Sequence, residues 1–528
     1  MKIPRLILLA LITLSLLGAA AILLSTRWGP WAYSDSTTYL VAARSLLEGE
    51  GLNVAAHPGS VERLTHHPPL YPLLLSAIGL CGVELLDAAR WLNVILFGAT
   101  IFTTGFFSYR LLRSGGLALS ISALLFAMPT LLDMFSGAMS EPLFLFASLS
   151  GTFLIIQFLE TRQRRTLILA AAAAGLAFLT RYIGIFAIAT GLLALGLLYR
   201  ASWKERGLNL LLYGLVSLLP NAAWWLYVYL STTTYAAREL VSQTSLGGAL
   251  IELRLLLVEA FWQWLPFTQS LTYSYNTALK LLLGLGVLSL LPYGVWMVKT
   301  RKKRQAAAQY GAEFRFLATW CLFSLAYFAC LAYAYLYTTP TPDIDLRMLL
   351  PIQSGLLIAL CSGSLLALKA LHIPRWGSLG VLGLALLYLG AFLPASLGLV
   401  RQYTLHGDGY TSAAWHESNT LEALKQLPID TPLITNQAAA VLLWTDRPAY
   451  DFCRLPCDQP EHTRYGDNPA DETQVIFRQQ GAALVLFYPF CAPQEVSWNV
   501  EWMAEVEALT RDLTVYEYSC DGAIYFYP

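Results

Sequence analysis

The stretch that decides the fold is LILLALITLSLLGAAAILLSTRWGPWAYSDSTTYL, residues Leu6 to Leu40. Its apolar part, 6–24, is longer than the roughly 7–15 residues of a signal-peptide core and long enough to cross a bilayer. The Ala-rich positions 19–21 leave cleavage open as an alternative. We predict an uncleaved first span, because the topology below requires it. Asp35 then lies at, or just outside, the edge of the membrane.

Composition extends this interpretation to most of the chain. Of its 528 residues, 56% are hydrophobic and only 13% are charged, whereas soluble domains have about 25% charged residues. The sequence therefore predicts a mainly α polytopic membrane helix bundle. The 34 basic and 34 acidic residues give no net charge, so nothing indicates a nucleic-acid partner.

Hydropathy divides the chain into about eleven spans of bilayer length, with a polar outer loop containing short interfacial helices over about 27–83. The predicted spans are 6–26, 86–112, 115–132, 141–159, 166–180, 183–199, 208–230, 276–298, 316–337, 347–368 and 377–397. We predict a transmembrane domain over 1–400.

The basic residues orient these spans, because cytoplasmic loops are enriched in Lys and Arg. Six basic clusters, from Lys2/Arg5 to Lys369/Arg375, all fall on one side of the predicted spans. The N-terminus is therefore predicted to be cytoplasmic in an inner membrane, and the loop around Asp35 and the C-terminus extracytoplasmic.

Beyond Val400 the composition becomes polar, which predicts a soluble extracytoplasmic α/β domain over 401–528. A helix is expected over about 412–426, followed by a strand, a helix and a strand within 431–452. The run GAALVLFYPF predicts a buried strand, and the last residues, LTVYEYSCDGAIYFYP, predict a hairpin.

Four of the eight cysteines lie in this domain: Cys453, Cys457, Cys491 and Cys520. An oxidising compartment favours disulfides, and four cysteines allow three pairings, between which the sequence does not choose. Free thiols, or a metal site at Cys453 and Cys457, remain alternatives.

Three acidic residues flank the membrane on the predicted outer side. Asp35 opens an amphipathic run, where it is either a helix-capping residue or a general base for a hydroxyl group. Glu141 precedes Pro142 at the start of a span, and Asp133 ends the span before it. A carboxylate there is either a structural complement to the helix dipole or a functional group at the membrane boundary.

Two histidines, His66 and His67, precede two prolines that end any helix there and restart one at about Leu70. They are either solvated loop residues or ligands for a phosphate or a metal.

Two arginines, Arg181 and Arg347, are also expected on the outer side. They either bind a phosphate through two nitrogens or extend to lipid headgroups. Arg347 has a further alternative, which is to pair with Asp343 or Asp345.

Six motifs follow one another along the chain: an Asp after the first span, then YLVAARSLLEGEGL, HHPPLYPLLL, SEPLFLF, LTRYIGI and DLRMLLP. Over about 1–370 this order resembles the GT-C superfamily of integral-membrane glycosyltransferases. The resemblance is to the branch with the aminoarabinose transferases, the protein O-mannosyltransferases and the lipopolysaccharide-core sugar transferases. The sequence departs from this branch at two places. Ser36 follows Asp35, where the protein O-mannosyltransferases have Glu after the Asp. HHPPL stands where the aminoarabinose transferases typically have a Lys-Pro-Pro-Leu run, so a lipid A acceptor is not supported.

This resemblance implies inverting transfer of a sugar from a polyprenyl-phosphate donor to a lipid, glycan or protein acceptor at the outer face of the membrane. It implies catalytic roles for Asp35 and for Glu141 (or Asp133 as the second acidic position). Donor phosphate binding is assigned to Arg181, Arg347 and His67 and substrate binding to Tyr39, Asp133 and His66.

No cofactor follows from the residues, and a divalent metal remains an open alternative. Membrane lipid is an expected partner. Two rival functions are a transporter or flippase of lipid-linked glycans, which typically has internal repeats and mid-span polar residues, and a non-catalytic membrane scaffold.

Overall fold

The three-dimensional structure is a computed structural model of the whole chain. It describes residues 3–57, 60–231, 239–240, 246–265, 273–281, 311–339, 342, 344–370, 374–451, 476–477, 481–488, 507 and 510–528.

Helices dominate the first 406 residues, as the apolar composition predicts. They are α1 (Arg5–Ser25), α2 (Ser34–Leu47), α3 (Leu70–Gly79), α4 (Leu85–Leu112), α5 (Gly115–Phe126), α6 (Pro129–Phe135), α7 (Glu141–Thr161), α8 (Arg164–Thr180), α9 (Ile185–Leu198), α10 (Trp203–Ser231), α11 (Leu246–Gln263), α12 (Gly311–Tyr337), α13 (Leu346–Ala370) and α14 (Pro374–His406).

Within the described residues, seven helices are long and apolar enough to cross a membrane, or eight if the bent pair α5 and α6 forms one span. The chain is therefore a multi-pass membrane protein. The span predicted over 115–132 is bent, since α5 and α6 meet at 62°. Pro129 opens α6 and cannot continue the hydrogen-bond ladder of α5.

The number of spans, about eleven, stays a prediction. The segments predicted at 166–180 and 183–199 form the separate helices α8 and α9, of 17 and 14 residues. Most of the predicted span 276–298 lies outside the described residues.

Large aromatic side chains fill the centre of the bundle. Phe153 of α7 contacts Trp320 of α12 edge to face, with ring centroids 4.9 Å apart. Phe186 of α9 contacts Phe323 in the same way, also at 4.9 Å. Such pairs contribute about 0.5–1.5 kcal/mol beyond their area burial, so they fix α7, α9 and α12 relative to one another.

One end of the bundle, which we call the Glu160 end, is tied by an ion pair between helices. The Nε and Nη2 atoms of Arg315 each donate to a carboxylate oxygen of Glu160 at 2.7 Å. Arg162 donates from Nη2 to the Arg200 carbonyl at 2.9 Å in the same region. Two of the basic clusters used for the topology prediction therefore meet at one end of the molecule.

The loop after α1 folds into α2, a hairpin of β1 (Asn53–His57) and β2 (Ser60–Arg63), and α3. Helix α3 begins at Leu70, immediately after Pro69, as the sequence predicts. The segment with His66 and His67 thus enters α3 beside α2.

Helix α14 continues through Val400 to His406, and a five-stranded sheet follows. Its strands are β5 (Leu433–Thr435), β6 (Tyr450–Asp451), β7 (Ala483–Phe487), β8 (Thr514–Ser519) and β9 (Gly522–Phe526), after the two-residue pair β3 (Glu239–Leu240) and β4 (Thr338–Thr339). The order is β6-β5-β7-β9-β8, with β5 parallel to β6 and β7, and β9 antiparallel to β7 and β8. The buried strand and the terminal hairpin predicted from the sequence are confirmed.

The single helix predicted over 412–426 is wrong. Two short helices occupy this region, α15 (Ala413–His416) and α16 (Asn419–Lys425). The hydroxyl of Ser418 accepts the Leu421 amide at 3.0 Å and so begins a new helix, as Ser does at N-cap positions.

The α/β unit is in contact with the loop between α1 and α4 through α17 (Ala438–Thr445). The Thr37 hydroxyl donates to the Ala439 carbonyl at 3.3 Å, and Arg44 forms an ion pair with Asp446. Thr37 and Arg44 lie seven residues apart, which is two helical turns, so α17 lies along one face of α2. Asp35 and Tyr39 lie on the opposite face at 100° per residue.

Cys520, in the turn between β8 and β9, is disulfide-bonded. The other three predicted disulfide residues, Cys453, Cys457 and Cys491, lie outside the described residues.

Candidate active site

The site is built on helix ends, beginning with α2. Asp35 is the second residue of α2, in its first turn. The hydroxyl of Ser36 accepts the Tyr33 amide at 3.2 Å and closes the start of the helix. Asp35 is therefore not the cap, and a carboxylate in the first turn is favourable to the helix dipole.

Glu141 and Arg347 also occupy helix starts. Glu141 is the first residue of α7, followed by Pro142, and is 5% exposed. Arg347 is the second residue of α13, where the Asp345 carboxylate accepts the Met348 amide at 2.7 Å. This capping interaction fixes the direction in which the chain enters α13.

Arg181 lies where the chain bends between α8 and α9. Its backbone is extended, with φ −147° and ψ 136°, and a short 3-10 turn at Tyr182–Gly184 follows. The break separates α8 from α9 and leaves the guanidinium at the same end of the bundle as Glu141.

The charged groups from these four elements meet in one cluster. Arg181 Nη1 lies 2.7 Å from Glu141 Oε1, and Arg347 Nε lies 3.6 Å from the same oxygen. Arg347 Nη1 is 3.6 Å from Asp35 Oδ2. On the other side of the carboxylate, His67 Nε2 is 3.7 Å from Asp35 Oδ1. The structure thus brings together Asp35, His67, Glu141, Arg181 and Arg347, which we call the outer cluster.

A second layer of polar groups supports the outer cluster. The Tyr39 hydroxyl is 3.1 Å from His67 Nδ1 and 3.0 Å from Ser140 Oγ. Ser140 donates to Glu141 Oε2 at 3.4 Å and accepts from Arg181 Nη1 at 3.2 Å. Burial raises the pKa of Tyr39 above its usual range, so this phenol stays neutral. Tyr39 is completely buried.

Two atoms of the outer cluster are buried without a hydrogen bond within the part of the chain that the structure describes. They are Glu141 Oε1 and Arg347 Nε. Although Oε1 is close to Arg181 Nη1, the contact is an ion pair and not an aligned hydrogen bond. A buried group of this kind costs about 1–3 kcal/mol, and such groups are retained mainly where a ligand or water meets them.

Asp133 lies outside the outer cluster. Its carboxylate accepts the Tyr403 hydroxyl of α14 at 2.7 Å, and its carbonyl accepts the Trp31 indole N–H at 2.9 Å. His66 precedes His67, the neighbouring member of the cluster, and its side chain is exposed. Substrate binding by these two residues stays a prediction.

Two members of the site have no strong sequence signal. Ser140 differs from the many other Ser residues of the chain only by preceding Glu141. Asp345 pairs with Arg347 at 3.5 Å, which is one of the alternatives that the sequence left open, whereas Asp343 lies outside the described residues. Within the described residues, no group of three or more His, Cys, Asp or Glu side chains is arranged to hold a metal.

Comparison with solved structures identifies the architecture. ArnT from Cupriavidus metallidurans bound to undecaprenyl phosphate is similar over 97% of both chains, with a TM-score of 0.58 and 14% identity. The apo state of the same protein gives 0.54 and 13% over the same shares. The chain has the GT-C fold. The archaeal oligosaccharyltransferase AglB from Archaeoglobus fulgidus gives a TM-score of 0.49 and 13% identity over 91% of this chain and 69% of its own.

No family model matches the sequence, and no curated protein matches it. The GT-C fold is therefore recognised from the three-dimensional structure. At 13–14% sequence identity, the similarity shows the fold alone. The sequence prediction of a GT-C-like membrane bundle with an α/β unit after it is confirmed.

Proposed function

We propose that this protein transfers a sugar from a polyprenyl-phosphate donor to an acceptor hydroxyl at the outer face of the inner membrane, with inversion. The observation that supports this proposal best is the outer cluster, in which two partly buried arginines, with side chains 18% and 30% exposed, lie next to a carboxylate that is 24% exposed. The GT-C fold adds support, since the similar ArnT structure is bound to undecaprenyl phosphate.

The arginines suit the leaving group. As the bond between the sugar and the phosphate oxygen breaks, negative charge develops on the lipid phosphate, and preorganised cations stabilise it. Arg347 Nε is buried with no hydrogen-bond partner among the described residues. A phosphate oxygen there would satisfy this donor, and Arg181 would add a second positive charge.

Asp35 suits the acceptor. Its side chain is 24% exposed, whereas that of Glu141 is 7% exposed. In the proposed reaction Asp35 takes the proton of the acceptor hydroxyl as the oxygen attacks the anomeric carbon from the face opposite the phosphate. One displacement gives inversion, and Glu141 holds the two arginines in place.

The acceptor is a lipid, a glycan or a protein. His66 and Asp133 are retained as candidate contacts to it outside the outer cluster. Tyr39 is buried against His67 and Ser140, which favours a role in holding those groups.

The test is transfer from a panel of radiolabelled prenyl-phosphate sugars to extracted envelope lipids by purified protein in lipid. Asp35→Asn should lower the rate by about 10²–10⁴-fold, the usual contribution of a general base, without loss of folded protein. Asp87→Asn is the matched control, since Asp87 is an exposed carboxylate in the first turn of α4. Full activity of Asp35→Asn, or an inactive but folded wild type with every donor, would refute the proposal.

A further inference from the structure

A continuous series of polar groups joins the two carboxylates of the outer cluster. It runs from Asp35 through His67, Tyr39 and Ser140 to Glu141, over distances of 3.7, 3.1, 3.0 and 3.4 Å. His67 is thus held on both nitrogens by groups that belong to α2. A residue meant only to bind a phosphate does not need this arrangement.

The donor and the acceptor of each hydrogen bond in this series can be assigned by starting from the Glu141 carboxylate. Ser140 has one hydrogen, and it donates to the ionised Glu141 Oε2, because bonds to a charged acceptor are the stronger ones. The lone pairs of Ser140 then accept from Arg181 Nη1 at 3.2 Å and from the Tyr39 hydroxyl at 3.0 Å. A hydroxyl group has one donor and two acceptor positions, so Ser140 is fully used.

Since Tyr39 gives its hydrogen to Ser140, its oxygen is left to accept from His67. His67 therefore donates from Nδ1, across 3.1 Å. In the neutral ring only one nitrogen bears hydrogen, so Nε2 presents its lone pair to Asp35 Oδ1. The hydrogen bond made by one nitrogen sets the chemistry of the other.

The surroundings suit a proton that arrives between His67 and Asp35 during the reaction. An Nε2 lone pair and a carboxylate oxygen 3.7 Å apart repel until a proton lies between them. His67 faces Asp35 and Tyr39, both from α2, while Arg347 from α13 engages Asp35 through Oδ2. The two oxygens of Asp35 are therefore divided, with Oδ2 towards the cation and Oδ1 towards His67.

We propose that His67 is a positioning residue that accepts, through Asp35, the proton released by the acceptor. The acceptor O–H proton passes to Asp35 Oδ1 and then to His67 Nε2, while the acceptor oxygen bonds to the anomeric carbon. The bond between that carbon and the phosphate oxygen breaks, and its electron pair stays on the phosphate. The imidazolium later returns the proton to water. The inference rests on the proposed function, and it replaces the phosphate-binding role predicted for His67.

Kinetics separate the two roles. In His67→Gln we expect kcat to fall by about tenfold or more, less than the general-base range of about 10²–10⁴-fold, with the donor KM unchanged. The acidic limb of the kcat–pH profile should change its midpoint, because only the Asp35 carboxylate remains to be protonated when the ring nitrogen is gone. His67→Lys should not restore kcat. A raised donor KM that His67→Lys restores would overturn the inference in favour of phosphate binding.

A second measurement does not depend on turnover. Solid-state nitrogen NMR of histidine-labelled protein in lipid, with His67 assigned from the His67→Gln spectrum, reports the tautomer. We expect hydrogen on Nδ1 in the wild type and a shift towards Nε2–H in Tyr39→Phe. An Nε2–H ring in the wild type would contradict the inference even if transfer is observed, whereas a folded protein inactive with every donor refutes the proposed function instead. His406→Gln, an exposed histidine at the end of α14, is the matched control for both measurements.

Discussion

The two ends of α7 each have a glutamate paired with arginine, but the pairs differ. At the Glu160 end, Arg315 makes two aligned hydrogen bonds of 2.7 Å, and both side chains are about one-quarter exposed. At the other end Glu141 is almost completely buried and faces two arginines, yet its Oε1 accepts no aligned hydrogen bond in the described part of the chain. The first pair is satisfied, and the second is not.

This difference separates a structural tie from a candidate site on one helix. Arg315 donates hydrogen bonds to both carboxylate oxygens of Glu160, and this ion pair holds α12 against α7. Arg347 keeps a buried Nε–H without a hydrogen bond among the described residues, although two carboxylates lie within 3.6 Å of it. The unsatisfied donor beside the Asp35 carboxylate is the feature that distinguishes this end of α7 as a candidate ligand site.

The largest effect on stability should come from breaking the unsatisfied pair. Glu141→Gln leaves Arg181 and Arg347 without their shared anion, and removal of one partner of a buried pair costs about 3–5 kcal/mol. Thermal unfolding in lipid measures it. The double variant Glu141→Gln/Arg181→Gln should lose clearly less than the sum of the two single variants. Additive losses would mean that the two side chains do not interact.

A third carboxylate shows what burial does when no cation is present. Asp451, on β6, has no ion-pair partner in the described part of the chain, and burial raises its pKa to about 6 from 3.8. Between those values the folded state binds more protons than the unfolded state, so stability falls as pH rises through about 4 to 6.

Asp451→Asn removes this cost. We expect the variant to be more stable than the wild type above about pH 6, by at most about 3 kcal/mol, and equally stable near pH 3. The measurement is thermal unfolding of the full chain, followed by tryptophan fluorescence, at both pH values. A difference that does not vary with pH would show that Asp451 titrates normally.

Arg347→Gln tests the open N–H. Loss of a hydrogen bond to a charged group costs about 1.5–3 kcal/mol, so the Kd for a polyprenyl phosphate should rise by about 10- to 150-fold. Arg347→Lys should recover only part of it, because an ammonium lacks the planar fork. The matched control is Arg315→Gln, which should bind the lipid as the wild type does. Equal binding by all these variants would place the phosphate elsewhere.

The smallest effect should come from Glu160→Gln. A partly exposed pair contributes about 1 kcal/mol or less, and we expect unchanged sugar transfer. A transfer rate lowered as far as in Glu141→Gln would remove the distinction between the two ends of α7.

Most helices could be predicted because apolar length is a local property. The structure departs from a simple helix where a single side chain changes the backbone. Pro129 bends the span predicted over 115–132, and Ser418 begins a new helix inside 412–426. Local hydropathy does not register either change, since each depends on one hydrogen bond that is lost or gained.

The sequence predicted which residues belong to the site better than it predicted which of them contact one another. Asp35, Glu141, Arg181, Arg347 and His67 were selected as charged or titratable residues at span ends, and they meet in the structure. Asp133 satisfied the same criterion, yet its carboxylate faces Tyr403. Both Asp133 and Glu141 border the same short connection between α6 and α7, so sequence position alone does not separate them.

The sequence by itself determined that this chain has long apolar helices with charges at their ends, because hydrophobicity and helix punctuation depend on neighbours along the chain. Only the tertiary structure decided which charges meet. Asp35 and Arg347 are more than three hundred residues apart, and whether their side chains lie 3.6 Å apart depends on how α2 and α13 pack. It also decided that the Tyr39 hydroxyl lies between His67 and Ser140, because a buried hydroxyl group must find partners among whatever groups packing brings to it.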